Sequence, residues 1–180
     1  MFSLQVQKAS KRFHREWIFK NLDLELSAGD ALAITGSNGS GKSTLLKCLS
    51  GAIPLTQGSI EYRLGTTLLP EESWFRSLAI ATPYLELPEE FTLNEALSFH
   101  FQFKKPLNQL STQEILAILG LEKHQSKSIS QFSSGMKQRV KLAIAIFSEV
   151  PLLFLDEPTT NLDKQGVSWY LELLQQYAQD

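Results

Sequence analysis

Near the start of the chain apolar side chains fall on alternate positions, Phe2, Leu4 and Val6 and then Leu22, Leu24 and Leu26, the period-two signature of two half-buried strands. Ser27-Ala28-Gly29-Asp30 marks a turn, and Ala31 to Thr35 predicts a further short strand. Leu45 to Leu49 changes to helical spacing. Gly51 fits the position just past a helix end, Pro54 blocks continuation, and Gln57-Gly58-Ser59 leads into a strand candidate at Ile60 to Leu64. Between about Glu89 and Gln131 the pattern is helical: Leu93, Ala96 and Leu97, then Ile115, Leu116, Ile118 and Leu119, make apolar faces broken by Pro106 and Gly120. Beyond Met136, Val140, Ala143, Ile144 and Phe147 continue at helical spacing. Pro151 then separates this helix from Leu152-Leu153-Phe154-Leu155, an unbroken apolar run suited to a strand buried on both faces. A last helix is predicted from about Lys164 to Ala178. Together these elements predict an α/β fold: a mostly parallel sheet flanked by helices, an antiparallel edge from the N-terminal strands, and an inserted helical subdomain.

The predicted junction of strand and helix holds Gly36-Ser37-Asn38-Gly39-Ser40-Gly41-Lys42-Ser43-Thr44, whose spacing is Gly, four residues, then Gly-Lys-Ser. Each residue type has a physical task in a phosphate-binding loop. The glycines let backbone N–H groups turn inward around phosphate oxygens. Lys42 reaches the β- and γ-phosphates, Ser43 offers its hydroxyl to Mg²⁺, and the helix beginning there directs its unpaired amides and positive dipole end at the nucleotide. The plain alternative is a glycine-rich turn between strand and helix.

A second acidic element complements this loop. Leu152 to Leu155 runs into Asp156-Glu157-Pro158, placing two carboxylates at the carboxyl end of a strand, where open α/β sheets bind ligands. Asp156 is suited to hold Mg²⁺ mostly through water, because the ion keeps several waters and takes few protein oxygens. Glu157 is then placed to orient or deprotonate an attacking water.

Composition narrows the class. A chain of 180 residues with 43% hydrophobic content can bury a core, and a net charge of −2 argues against a nucleic-acid-coating surface. Lys8, Lys11, Arg12 and Arg15 form a local basic cluster, read as solvated surface. No apolar run is long enough to span a bilayer, so a membrane role must come through a partner. Cys48 is the single cysteine, which excludes an intrachain disulfide, and its helical position predicts a small buried side chain.

The segment Gln131-Phe132-Ser133-Ser134-Gly135-Met136-Lys137-Gln138-Arg139 resembles the Leu-Ser-Gly-Gly-Gln signature of ATP-binding-cassette (ABC) ATPases, with Ser133 and Gly135 at matching positions. The order of motifs resembles that family over nearly the whole chain: P-loop, helical insert, signature, acidic strand end, then Asn161-Leu162-Asp163 in place of the D-loop. Asn161 to Val167 is also similar to the haem-exporter ATP-binding subunits of the family. The resemblance implies a P-loop NTPase forming one cassette over residues 1–180, with a core of 1–84 and 136–180 and a helical subdomain of about 85–135. It implies ATP and Mg²⁺ as cofactors, with Gly36 to Thr44, Ser133 and Gly135 on the nucleotide, Lys42 and Glu157 in catalysis, and Ser43 and Asp156 on the metal. Phe13 occupies the place of the ring that stacks on adenine, with Trp17 as the alternative.

Two nucleotide-binding domains, alike or different, are implied to pack head to tail, each signature closing over the other's ATP. The implied activity is ATP hydrolysis that drives a separate transmembrane permease subunit, in an exporter, from the cytoplasmic face of the cell membrane. No nucleic-acid partner is expected.

Within the signature Phe132 replaces Leu, Ser134 the first Gly and Met136 Gln, and the pattern departs from the family in two further places. Tyr84 in Ala81-Thr82-Pro83-Tyr84 stands where a glutamine is usual, with Glu86 as a further candidate, and a phenol coordinates Mg²⁺ poorly. The family's switch histidine follows one more strand, whereas His14, His100 and His124 all precede Asp156, so the switch-histidine region is missing. The expectation is a fragment of a slightly longer subunit that binds ATP–Mg²⁺ and hydrolyses it slowly. The competing expectation is a non-hydrolysing regulatory module of the same fold. A small-molecule kinase shares the phosphate loop but leaves the Ser133-Gly135 and Asn161-Leu162-Asp163 elements without a purpose.

Overall fold

The N-terminal alternation produces β1 (Phe2–Phe13) and β2 (Glu16–Ser27), paired antiparallel with Leu4 opposite Leu26 and Val6 opposite Leu24. On its other edge β1 pairs antiparallel with β3 (Gln57–Leu64), which pairs in turn with β4 (Thr67–Leu69), giving a four-stranded sheet in the order β2-β1-β3-β4. The computed structural model describes residues 1–178; the last two residues of the expected core, Gln179 and Asp180, lie outside the described residues. The chain divides into two compact units, Met1–Leu78 and the part from Ala79 onward.

In the first unit the helix α1 (Lys42–Leu49) buries Leu46, Cys48 and Leu49, and Tyr62 of β3 fastens it by donating its hydroxyl to Leu49 O at 2.6 Å. Tyr62 is fully buried. It stacks on Trp74 with ring centroids 4.5 Å apart, and Phe2 meets its edge. Gly51 lies just beyond the helix with φ 75, as expected, and Cys48 is buried, its thiol pKa raised by that burial against the opposing charge of Lys11.

The basic cluster is not wholly a solvated surface. Between Val6 and Arg12 the register of β1 against β2 shifts repeatedly, so alternation fails and Ala9, Ser10 and Lys11 are buried in succession. Lys11 points inward and donates its ammonium to Pro54 O at 2.7 Å, which satisfies the charge that the bulge turns away from solvent.

The second unit begins with β5 (Leu78–Ala81), whose partner is β6 (Leu152–Leu155) in a two-stranded sheet. Between these strands lie α2 (Leu93–His100), α3 (Thr112–Leu119) and α4 (Ser134–Ile146), and α5 (Lys164–Tyr177) follows β6. Capping boxes start α2 and α3: Thr92 with Glu95 and Ser111 with Glu114 each satisfy the other's backbone N–H. Leu93, Leu97, Ile115, Leu116, Leu119, Val140, Leu142 and Phe147, all fully buried, join Tyr170 and Leu173 in one core. In β6 only Phe154 is buried, with its apolar neighbours half-buried, because the described residues give this strand one pairing neighbour rather than the two of a central parallel strand.

Candidate functional site

The phosphate-loop residues lie in the first unit. Ala31 to Thr35 forms no strand; the segment finds no ladder partner among the described residues and is mostly exposed. Two alanines and a threonine in five positions bury too little apolar surface to hold an unpaired strand. Gly36 to Ser40 is an exposed loop that closes on itself, Ser40 N donating to Ser37 O at 3.2 Å. Gly41 is the N-cap of α1, with φ 94 and no side-chain cap, and the first turn holds no acidic residue. The positive end of that helix is therefore uncompensated by protein, the condition that favours an anion. A Cβ on Gly41 would lie 2.4 Å from Ile18 Cγ2, so both the backbone conformation and the close approach to β2 require glycine. Lys42 Nζ donates to Gly36 O and to Ser37 O, both at 2.9 Å, drawing the mouth of the loop together. Ser43 and Thr44, half-buried, occupy the first turn beside it.

Phe13 stands at the end of β1 with 46% of its surface exposed, and Lys11 Nζ lies 4.9 Å from its ring centre. Trp17, on the neighbouring strand, carries Arg12 at 5.1 Å and Lys20 at 4.8 Å from its ring. Both rings stand on a cation-decorated edge of the sheet.

The acidic and signature residues lie in the second unit. Asp156 is buried at the end of β6, and its backbone N–H donates to Ala81 O at 2.9 Å, continuing the pairing with β5. Glu157 is exposed and adopts φ 45, a strained conformation for a non-glycine residue. Thr160 closes the turn by donating its backbone N–H to Glu157 O at 3.0 Å and its hydroxyl to Glu157 Oε2 at 3.3 Å. Asp163 ends the loop by capping α5, its Oδ1 accepting from Gly166 N at 2.7 Å.

Ser133 is the N-cap of α4, its hydroxyl oxygen accepting from Met136 N at 3.2 Å, so its O–H remains a donor for an outside anion. A Cβ on Gly135 would stand 3.1 Å from Asn161 O, which makes room for the acidic loop against α4. Gln138, one turn on, is 3% exposed and donates Nε2 to Pro158 O at 2.9 Å. Ser133, Gly135 and the Asp156–Asp163 segment are thus brought onto one structure.

Tyr84 is 70% exposed in the loop after β5, where Leu85 N donates to Thr82 Oγ1 at 3.2 Å. Lys141 of α4 donates to Pro83 O at 3.1 Å, and with Lys137, Glu86 and Glu89 it lines a cavity of about 380 Å³. Burial lowers the Lys141 pKa, Glu86 opposes the shift, and Lys137 adds to it. Gln138 and Thr160 were not among the predicted site residues. Gln138 carried a legible signal: it shares a helical stripe with Leu142 and Ala145, a polar side chain where the period demands an apolar one.

The donor chemistry fits magnesium. Ser43 and Asp156 supply hard oxygens, and no group of three or more His, Cys, Asp or Glu gathers into an all-protein cage among the described residues. An ion that keeps its waters and shares phosphate oxygens needs no such cage.

Residues 19–160 match the model of the ABC transporter family. The chain belongs to that family. It is 32% identical over 173 residues to the uncharacterized ABC transporter ATP-binding protein YybJ of Bacillus subtilis (strain 168), covering 96% of this chain and 79% of that protein. It is 36% identical over 172 residues to the cytochrome c biogenesis ATP-binding export protein CcmA of Pseudomonas putida, covering 92% of this chain and 80% of the relative. Among solved structures, an ATP-binding subunit of an ABC transporter superposes with a TM-score of 0.81 at 28% identity, over 97% of this chain and 74% of the other. The fold is the α/β P-loop NTPase fold of these subunits, and the chain is an ATP-binding subunit of this transporter family. No helix among the described residues is long and apolar enough to cross a membrane.

Proposed function

We propose that this ABC subunit hydrolyses ATP with Mg²⁺ and, through nucleotide-dependent dimerisation, drives a separate transmembrane permease in an exporter. The observation that carries hydrolysis is Glu157, an exposed carboxylate directly after the buried Asp156 and held in place by Thr160. In this reading Gly36 to Thr44 wrap the phosphates, and Lys42 exchanges its two carbonyl contacts for phosphate oxygens. Ser43 and Asp156 are the residues that would hold magnesium, which would neutralise phosphate charge, and Glu157 takes the proton of the attacking water. Phe13 stacks on the adenine. Residues 1–180 act as one cassette with its helical subdomain at about 85–135. Ser133 and Gly135 cover the nucleotide of a second domain, identical or homologous. The export direction is supported by the similarity to CcmA, an ATP-binding export protein of cytochrome c biogenesis.

The permease is the membrane anchor, which places this subunit at the cytoplasmic face. Phe99 and Phe103, 46% and 73% exposed and in edge contact at 5.1 Å, support a docking surface for it; Phe101, by contrast, packs against the core. The deciding experiment measures ATP turnover and ATP binding for the parent and for Glu157→Gln. Turnover is expected to fall by roughly 100-fold or more, while ATP binding persists and an ATP-bound dimer accumulates. A parent with no turnover, unchanged by Glu157→Gln, would instead favour a non-hydrolysing regulatory module, the reading to which Tyr84 at the usual glutamine position lends support.

A further inference from the structure

Glu157 sits in a backbone conformation that an L-residue adopts only when its surroundings impose it, with φ 45, and Asn161 at the other end of the same loop has φ 65. What imposes it is visible on one side of the loop. Gln138 is 3% exposed on α4 and donates its side-chain amide to Pro158 O at 2.9 Å, the carbonyl of the residue next to Glu157. Gly135, one turn earlier, lets Asn161 O approach to a distance at which a Cβ would be crowded at 3.1 Å. Both ends of the loop are therefore pressed onto the helix whose N-cap is Ser133. A buried amide that lost this acceptor would leave a polar group unsatisfied, so the pairing resists separation.

We propose that Gln138 is a positioning residue that locks the Glu157 loop to α4. A displacement of Ser133 is then transmitted through the helix and the Gln138 amide to the carboxylate. Under the hydrolysis reading above, on which the catalytic part of this inference rests, Ser133 contacts the nucleotide of the partner domain while Glu157 acts at its own. Gln138 then makes seating of one nucleotide a condition for correct placement of the base at the other.

Hydrogen exchange of the parent 180-residue chain tests the lock without reference to catalysis. The Thr160 amide, which donates to Glu157 O, is expected to exchange as slowly as the amides of α4. Exchange at the rate of an open loop while α4 stays protected would overturn the inference. In Gln138→Met, and in Gln138→Glu as a second variant of similar shape, Thr160 exchange should accelerate by about tenfold with α4 unaffected. The kcat for ATP should fall by about tenfold or more, with KM for ATP within about twofold of the parent. Unchanged exchange and unchanged kcat in both variants would remove Gln138 from the mechanism. A parent that turns over no ATP would remove the hydrolysis reading alone, since the exchange measurement still decides whether the lock exists.

Discussion

The loop from Gly36 to Ser40 is exposed and closes on itself, whereas the loop from Glu157 to Asn161 is fastened to a helix by a buried side chain. The first takes its shape from backbone freedom: glycines at positive φ, an uncapped helix start, and a lysine folded onto its own loop's carbonyls. The second takes its shape from side chains that reach its backbone, Gln138 to Pro158 and Asp163 to Gly166, and from the Thr160 hydroxyl donating to the Glu157 carboxylate. Under the proposed hydrolysis, the difference follows from what each must do. A loop that wraps a phosphate needs its amides free and its carbonyls turned aside, so little protein can be spent on holding it. A general base must stand at one point relative to an attacking water, where small errors are costly, and so its backbone is over-determined. The phosphate loop should therefore be sensitive to the backbone and to its one cation, and the acidic loop to the loss of neighbouring side chains.

The largest effect is expected from Lys42→Ala. This change removes the cation proposed to face the phosphates and, at the same time, both bonds that draw Gly36 and Ser37 together. ATP turnover should fall by roughly 100- to 1,000-fold, the range seen when a charge-stabilising donor is deleted, and ATP affinity should fall with it. The melting temperature without nucleotide should move little, because the loop is exposed and contributes little burial. A variant that keeps parental ATP affinity would show that the loop does not hold phosphate.

Gly41→Ala sharpens the contrast by perturbing the loop through backbone alone. Its φ of 94 strains any L-residue, and the added methyl would approach Ile18 Cγ2 to 2.4 Å. The conformational part costs on the order of 1–2 kcal/mol, and loop distortion should weaken ATP binding by about tenfold. Ile18→Ala in the same chain relieves the collision but not the φ strain, so the double variant should recover only part of the loss in a nucleotide titration. Full recovery would mean that steric contact with β2, not the glycine's backbone freedom, sets the loop.

How far each region could be read in advance follows the same division. The phosphate loop is local, nine consecutive residues from Gly36 to Thr44, so fixed spacing exposes it. Leu152 to Glu157 is equally local, and β6 appears where the pattern puts it, while α4 starts at Ser134, two residues before the helical spacing read from Met136. The fastening of the acidic loop is not local. Gln138 lies twenty residues from Pro158, and the only local trace of their bond is a polar residue on an apolar stripe. The burial of Lys11 was hidden for a related reason: alternation reads the face of a regular strand, and the register shifts of β1 invert it after Val6. Ala31 to Thr35 failed in the other direction, since an apolar run implies a strand only where a neighbour accepts its hydrogen bonds. The capping boxes at Thr92 and Ser111 were legible as Thr or Ser followed three residues later by Glu, and they mark the helix starts more sharply than the apolar faces do.

The smallest effects separate the two roles that meet at Ser133. Its oxygen caps α4 by accepting from Met136 N, and in the proposed reading its O–H is the group offered to a partner's nucleotide. Ser133→Ala removes both, and the lost cap should destabilise the fold by about 1 kcal/mol. Ser133→Asp keeps an acceptor at the cap and adds a negative charge at the positive helix end, so stability should be kept or slightly raised. The same charge repels a triphosphate. If Ser133 serves only the helix, the aspartate variant should match the parent in both melting temperature and ATP-dependent dimerisation. If it also receives an anion, the aspartate variant should melt like the parent yet dimerise with ATP less well than the alanine variant, an ordering that the loss of a cap cannot produce.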